Sequence, residues 1–172
     1  MSQREERFAA IMRDHGPALG RVVASYARPA DQDDLAQDVA FAVWQALPRF
    51  RGECSERTFA FRIAHNRGLT YLARRRVARA ADGAPGGADD DAPPEIADRA
   101  PGPEAQAADR EDVQRLFAAI RALPVTLRQV LTLALEDMPH AEIAACLGIS
   151  VENVAVRLSR ARAALRAEME AP

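Results

Sequence analysis

Six arginines lie between Thr58 and Arg79, at positions 62, 67, 74, 75, 76 and 79, with no Asp or Glu among them. A guanidinium does no proton chemistry at neutral pH; it neutralises and grips phosphate or carboxylate. The chain as a whole carries formal net charge −2. The positive segment therefore serves a polyanionic partner or is a solvated face. A second group sits near the C-terminus: Asn153, Val156, Arg157 and Arg160 recur at helical spacing, with Arg162 and Arg166 beyond them. Arg can pair bidentately with guanine, Asn with adenine, and further arginines can hold phosphates. A third group has the opposite sign. Asp31, Asp33, Asp34 and Asp38 crowd the start of one helical segment, where the helix dipole favours negative charge. Asp34, Gln37, Asp38 and Phe41 share a side and make a docking surface for a basic partner.

Other chemistries find no footing. Cys54 and Cys146 are far apart and show no ligand spacing, and His15, His65 and His140 are scattered. No nucleophile–base pair, phosphate loop or metal spacing is present, so neither an enzyme nor a metal or cofactor site is expected. His65-Asn66-Arg67 is a lone cluster, read as part of a DNA-facing helix. No membrane-length apolar run and no secretory segment stands out, so the expected location is cytoplasmic, with no membrane partner. The chain is 48% hydrophobic and 28% charged, which fits a globular protein. Aromatics are only 5%, so the cores must rest on Ala, Leu, Val and Ile.

The elements that must position these groups are helical. Patterning predicts helices near 4–23, 32–46 and 58–76, then 109–122, 125–136, 140–147 and 151–169. Leu35, Val39, Val43 and Leu47 form one buried stripe; Val154, Leu158, Ala161 and Leu165 form another. Pro139 to Leu147, a Gly-Ile-Ser turn and a longer helix lay out a helix-turn-helix, with Gly148 suited to a left-handed cap and Ser150 to an N-cap. Between the two groups of helices, Pro, Gly, Asp and Glu dominate from Ala81 to Glu104, which reads as a flexible linker. The expected fold is all-α: two small helical domains, 1–80 and 109–172, joined by a flexible acidic linker, 81–108.

Three motifs carry a resemblance to a known family. DQDDLAQDVAFAVWQALPRFRG resembles region 2.2 of bacterial sigma-70 proteins. TFAFRIAHNRGLTYLARRR resembles their regions 2.3–2.4. LPVTLRQVLTLALEDMPHAEIAACLGISVENVAVRLSRARAAL resembles region 4. In order and at family spacing, they identify the chain as similar to the group IV, extracytoplasmic-function (ECF) sigma factors. The resemblance implies a region 2 helical bundle and a region 4 helix-turn-helix. It implies core RNA polymerase as partner, through the β′ clamp helices and the β flap, together with promoter DNA and an anti-sigma factor.

Residue by residue, the resemblance gives polymerase docking to Asp34, Leu35, Gln37, Asp38 and Phe41, with Leu35 and Trp44 chiefly packing. It gives minus-ten recognition and melting to Arg51, Arg57, Arg62, Asn66, Arg67, Thr70 and Arg74. It gives minus-thirty-five recognition to Glu152, Asn153, Val156, Arg157, Arg160 and Arg162. Ala40, Phe59, Thr70, Asn153 and Ala155 depart from the common family residues and bear on the promoter sequence. A decoy that sequesters an anti-sigma protein without touching DNA is the alternative; it has no need of two basic faces. A repressor or activator using the helix-turn-helix alone leaves the N-terminal motifs unexplained.

Overall fold

The computed structural model describes residues 2–81 and 104–170, with backbone only for 104–109. Seven α-helices account for nearly all of them: α1 (Gln3–Ala24), α2 (Gln32–Ala46), α3 (Glu56–Ala81), α4 (Glu104–Ala122), α5 (Val125–Leu135), α6 (His140–Leu147) and α7 (Val151–Glu170). No strand occurs among the described residues. No helix among them is long and apolar enough to cross a membrane.

Local chemistry sets the helix ends. Ser2 and Glu5 form a capping box at the start of α1. Ser55 Oγ accepts from the Thr58 amide at 3.0 Å, so α3 starts at Glu56, two residues before the expected position. At its far end α3 runs to Ala81, past the expected Arg76. Helix α4 begins at Glu104, so 104–108, expected as linker, are helical; Glu-Ala-Gln-Ala-Ala has high helix propensity. The rest of the expected linker, 82–103, lies outside the described residues. Gly148 ends α6 with φ 68°, and Ser150 Oγ accepts from the Asn153 amide at 3.2 Å. The turn after α5 uses Asp137 at φ 55°, and the Met138 amide reaches back to the Leu133 carbonyl. That is a Schellman closure with aspartate in the usual glycine place.

Helices α1, α2 and α3 pack together as one bundle. Leu35, Val39, Val43 and Leu47 are all buried, as their spacing requires, against Ile11, Leu19 and Phe61 among others. Arg4 anchors the end of α2: it donates to the Trp44 carbonyl and its guanidinium lies 3.9 Å from the indole centroid. Helices α4, α5 and α6 pack chiefly on α7, whose Val154, Leu158 and Ala161 are buried while Leu165, the last of the expected stripe, is half-buried.

The two halves are not separate. Their buried apolar residues form one cluster, α3 packs on α6, and α1 touches α5. Tyr26 is at the junction, 1% exposed. Its hydroxyl is 2.8 Å from His65 Nδ1, and the Arg128 guanidinium of the second half lies 5.7 Å from its ring centroid.

Candidate functional site

Helix α2 buries one face and presents another. Asp34, Gln37, Asp38 and Phe41 are all exposed, and Phe41 is 58% exposed despite being a large apolar residue. Leu35, named with them and expected chiefly to pack, is 4% exposed and holds α2 against the core. Trp44 packs edge-on against Phe8, with centroids 5.4 Å apart.

On α3 the buried side consists of Thr58, Ala60, Phe61, Ala64, His65 and Gly68. Arg62, Asn66, Thr70 and Arg74 are exposed on the opposite side, in the row their spacing predicted, with Arg67 half-buried beside them. Arg51 is exposed in the preceding loop. His65 is not on the outer face. It is 2% exposed, its neutral form is enforced by burial, and its pKa is pushed down to about 3. Thr70 Oγ1 donates to the Asn66 carbonyl at 3.0 Å, a back-bond that holds the hydroxyl on the helix. Arg74 lies 3.8 Å from Asp38, so the acidic face of α2 and the basic face of α3 adjoin. Tyr71 ties the same helices together by donating to Asp31 at 2.6 Å.

Two residues of this basic set are engaged elsewhere. Arg57 is half-buried and donates to the Glu136 carbonyl; Arg62 donates to the Ala145 carbonyl at 2.9 Å. Both acceptors belong to the second half.

On α7 the sequence reading separates into two sides. Glu152, Asn153, Val156 and Arg160 are exposed and Arg157 is half-buried at their edge. Arg162 does not join them. It lines a shallow cleft with His140 at the start of α6 and with Ser159 and Arg166. The arrangement suits an outward face reading base edges, flanked by arginines at phosphate height. Among the described residues no group of three or more His, Cys, Asp or Glu could hold a metal ion.

Residues 11–77 match the family described as Sigma-70 region 2, and residues 114–165 match Sigma-70, region 4. The RNA polymerase sigma factor CnrH of Cupriavidus metallidurans is 35% identical over 99% of this chain and 90% of its own length. The chain belongs to the sigma-70 family. It falls in the extracytoplasmic-function group: the ECF RNA polymerase sigma-E factor of Escherichia coli is 31% identical over 86% of this chain and 78% of its own length. Family members are regulatory proteins that bind core RNA polymerase and promoter DNA, not enzymes. A solved structure of CnrH in complex with the cytosolic domain of CnrY matches with TM-score 0.67 and 28% identity, covering 95% of this chain and 87% of that one. The sigma factor RpoE of Bartonella quintana, solved with the anti-sigma factor NepR, matches at TM-score 0.73 and 20% identity over 96% of this chain and 98% of that one, a likeness of fold.

Proposed function

We propose that this sigma factor acts in the cytoplasm with its labour divided between three faces, and that an anti-sigma factor restrains it. The α2 face of Asp34, Gln37, Asp38 and Phe41 docks on the β′ clamp helices. The α3 face of Arg62, Asn66, Arg67, Thr70 and Arg74, with Arg51 and Arg57 before it, follows the separated strand of the minus-ten element. There phosphate neutralisation gives affinity, and a base taken from the stack gives selectivity. Helix α7 reads the minus-thirty-five element through Asn153, Val156, Arg157 and Arg160, with Glu152 at the rim and Arg162 at the phosphates, while its domain meets the β flap. The observation that carries this division is the exposure of Phe41 on α2 on the same side as Asp34, Gln37 and Asp38, beside an outward row of Arg62, Asn66, Thr70 and Arg74 on α3. A large apolar side chain left in water next to exposed carboxylates fits a protein-docking surface. The anti-sigma partner is supported by CnrH, a relative solved in complex with CnrY.

The test is transcription in vitro with sigma-free core RNA polymerase on fragmented genomic DNA, followed by sequencing of RNA 5′ ends. Discrete starts sharing two upstream motifs are expected. Absence of polymerase binding would overturn the α2 assignment. Binding without specific starts would overturn the α3 and α7 assignments.

A further inference from the structure

The two halves touch through a small set of directed polar contacts. Arg21 of α1 grips the Glu136 carboxylate with both arms of its guanidinium, Nε at 2.5 Å and Nη2 at 2.7 Å. The Glu136 side chain is 6% exposed. Its backbone carbonyl takes the Arg57 guanidinium, so one residue holds two arginines of the other half. Asp137 at φ 55° closes α5 just after it and fixes where Glu136 stands. Arg121 answers from the second half by donating to the Ala24 carbonyl at 3.1 Å, and Arg62 closes the ring on Ala145.

We infer that Glu136, gripped by Arg21 and Arg57, is a latch that holds the free sigma factor closed, with its second half covering part of its own minus-ten face. The consequence for transcription rests on the function proposed above; the latch itself does not. Minus-ten and minus-thirty-five elements are about 25 base pairs apart, which is about 85 Å of duplex at 3.4 Å per pair. A compact chain of this length has a radius of gyration of about 16 Å. The closed form therefore cannot reach both elements, and Arg57 and Arg62 are spent on carbonyls of α5 and α6 while it persists. Opening frees them and separates the reading helices. Polymerase holding the halves apart must outcompete the latch, and a partner that bridges them reinforces it.

The only two cysteines make this measurable. Cys146 is buried on α6, beside the Ala145 carbonyl that Arg62 holds. Arg62 of α3 and Cys54 of the loop before it, both of the first half, lie close enough to influence its thiol. With Cys54→Ser as background, Cys146 is the single thiol, and its rate of reaction with an aromatic disulfide reagent reports opening. Arg21→Gln with Glu136→Gln removes the pair without changing net charge. Arg21→Glu with Glu136→Arg reverses it, again at constant net charge. The Gln pair is expected to react on the order of tenfold faster than the background, the worth of a charged hydrogen-bonded contact. The reversed pair is expected to return to the background rate. A Gln pair reacting at the background rate overturns the latch, as does a reversed pair reacting as fast as the Gln pair. If circular dichroism shows that the Gln pair has lost helix, the reversed pair decides: slow reaction supports the latch and fast reaction overturns it. No polymerase or DNA enters the assay, so its failure is separate from failure of the proposed function.

Discussion

Gly68 gives a prediction whose sign the structure decides against helix propensity. It lies inside α3, where replacing glycine by alanine ordinarily stabilises by about 1 kcal/mol. A Cβ built there would stand 2.5 Å from Cγ and Cδ2 of Tyr26 and 2.7 Å from its Cε2. Carbon atoms prefer about 3.5–4.0 Å, so the ring would have to retreat by about 1 Å. It has nowhere to go. Tyr26 is fully buried, its hydroxyl is bound to His65 Nδ1, and Arg128 closes the side towards the second half. Retreat also strips His65 of its one hydrogen bond, and its Nε2 already has no partner. Overpacking costs about 1–3 kcal/mol and a broken buried hydrogen bond about 1–3 kcal/mol more. Set against the propensity gain, Gly68→Ala should destabilise by about 2 kcal/mol, or roughly 4–8 °C in Tm for a chain of this size. Gly20→Ala is the control: it is also inside a helix, on α1, and its added Cβ meets nothing within 4 Å. It should stabilise by about 0.5–1 kcal/mol. Urea denaturation of both variants beside the parent measures the difference. Gly68→Ala as stable as Gly20→Ala would refute the idea that Tyr26 is pinned.

Three further outcomes follow from the same geometry. His65 binds its proton near pH 6.5 when unfolded but only near pH 3 when folded, so the unfolded state takes up a proton in between. Stability should fall by up to about 1.4 kcal/mol per pH unit as pH drops from about 6 towards 3, and denaturation of parent and His65→Asn at pH 7, 6 and 5 should show that slope only in the parent. Phe41→Ala should weaken core polymerase binding by about tenfold or more in a fluorescence competition assay, with stability unchanged within about 0.5 kcal/mol, because its ring is mostly exposed and lies outside the buried core. Arg157→Ala and Arg160→Ala should each reduce transcription from a promoter found in vitro, by about 1–3 kcal/mol of base discrimination where the contact is bidentate, and lose less on templates with a mutated upstream element.

Much of the secondary structure was legible because caps and periodicity agreed. Helices α2 and α6 fall where their stripes place them, and Gly148 and Ser150 take the cap conformations their types suggest. The misses have local causes. Ser55 caps α3 ahead of Thr58, and the apolar and basic run that marks the helix in the sequence begins only after that cap. Glu104 to Ala108 shares the Ala- and acid-rich composition of the segment before it, so composition hid a helix that propensity would have found. His65 belongs to a helix read as DNA-facing, yet it falls one turn from Phe61 and from Gly68, both buried, and is buried with them. Helical phase, not company in the sequence, decides which way a side chain points. The same rule separates Arg162 from Arg160: two residues apart on a helix is the far side.

The contact between the halves was illegible for a different reason. Its acceptors are backbone carbonyls at Glu136, Ala145 and Ala24, and a carbonyl carries no signature of residue type. Its one recognisable pair, Arg21 and Glu136, is 115 residues apart and looks like two ordinary surface charges until the fold buries the carboxylate. Arginine suits both tasks, because a fork of donors that fits a phosphate also fits a carboxylate or a carbonyl. A basic face read as DNA-binding is therefore also a face that its own chain can cover. Of the six arginines between Thr58 and Arg79, Arg62 has two possible occupants, and Arg57, just before them, shares that choice. What selects between the occupants is whether the two halves are together or apart, so the relative position of the halves becomes a control point for any partner that can grip both.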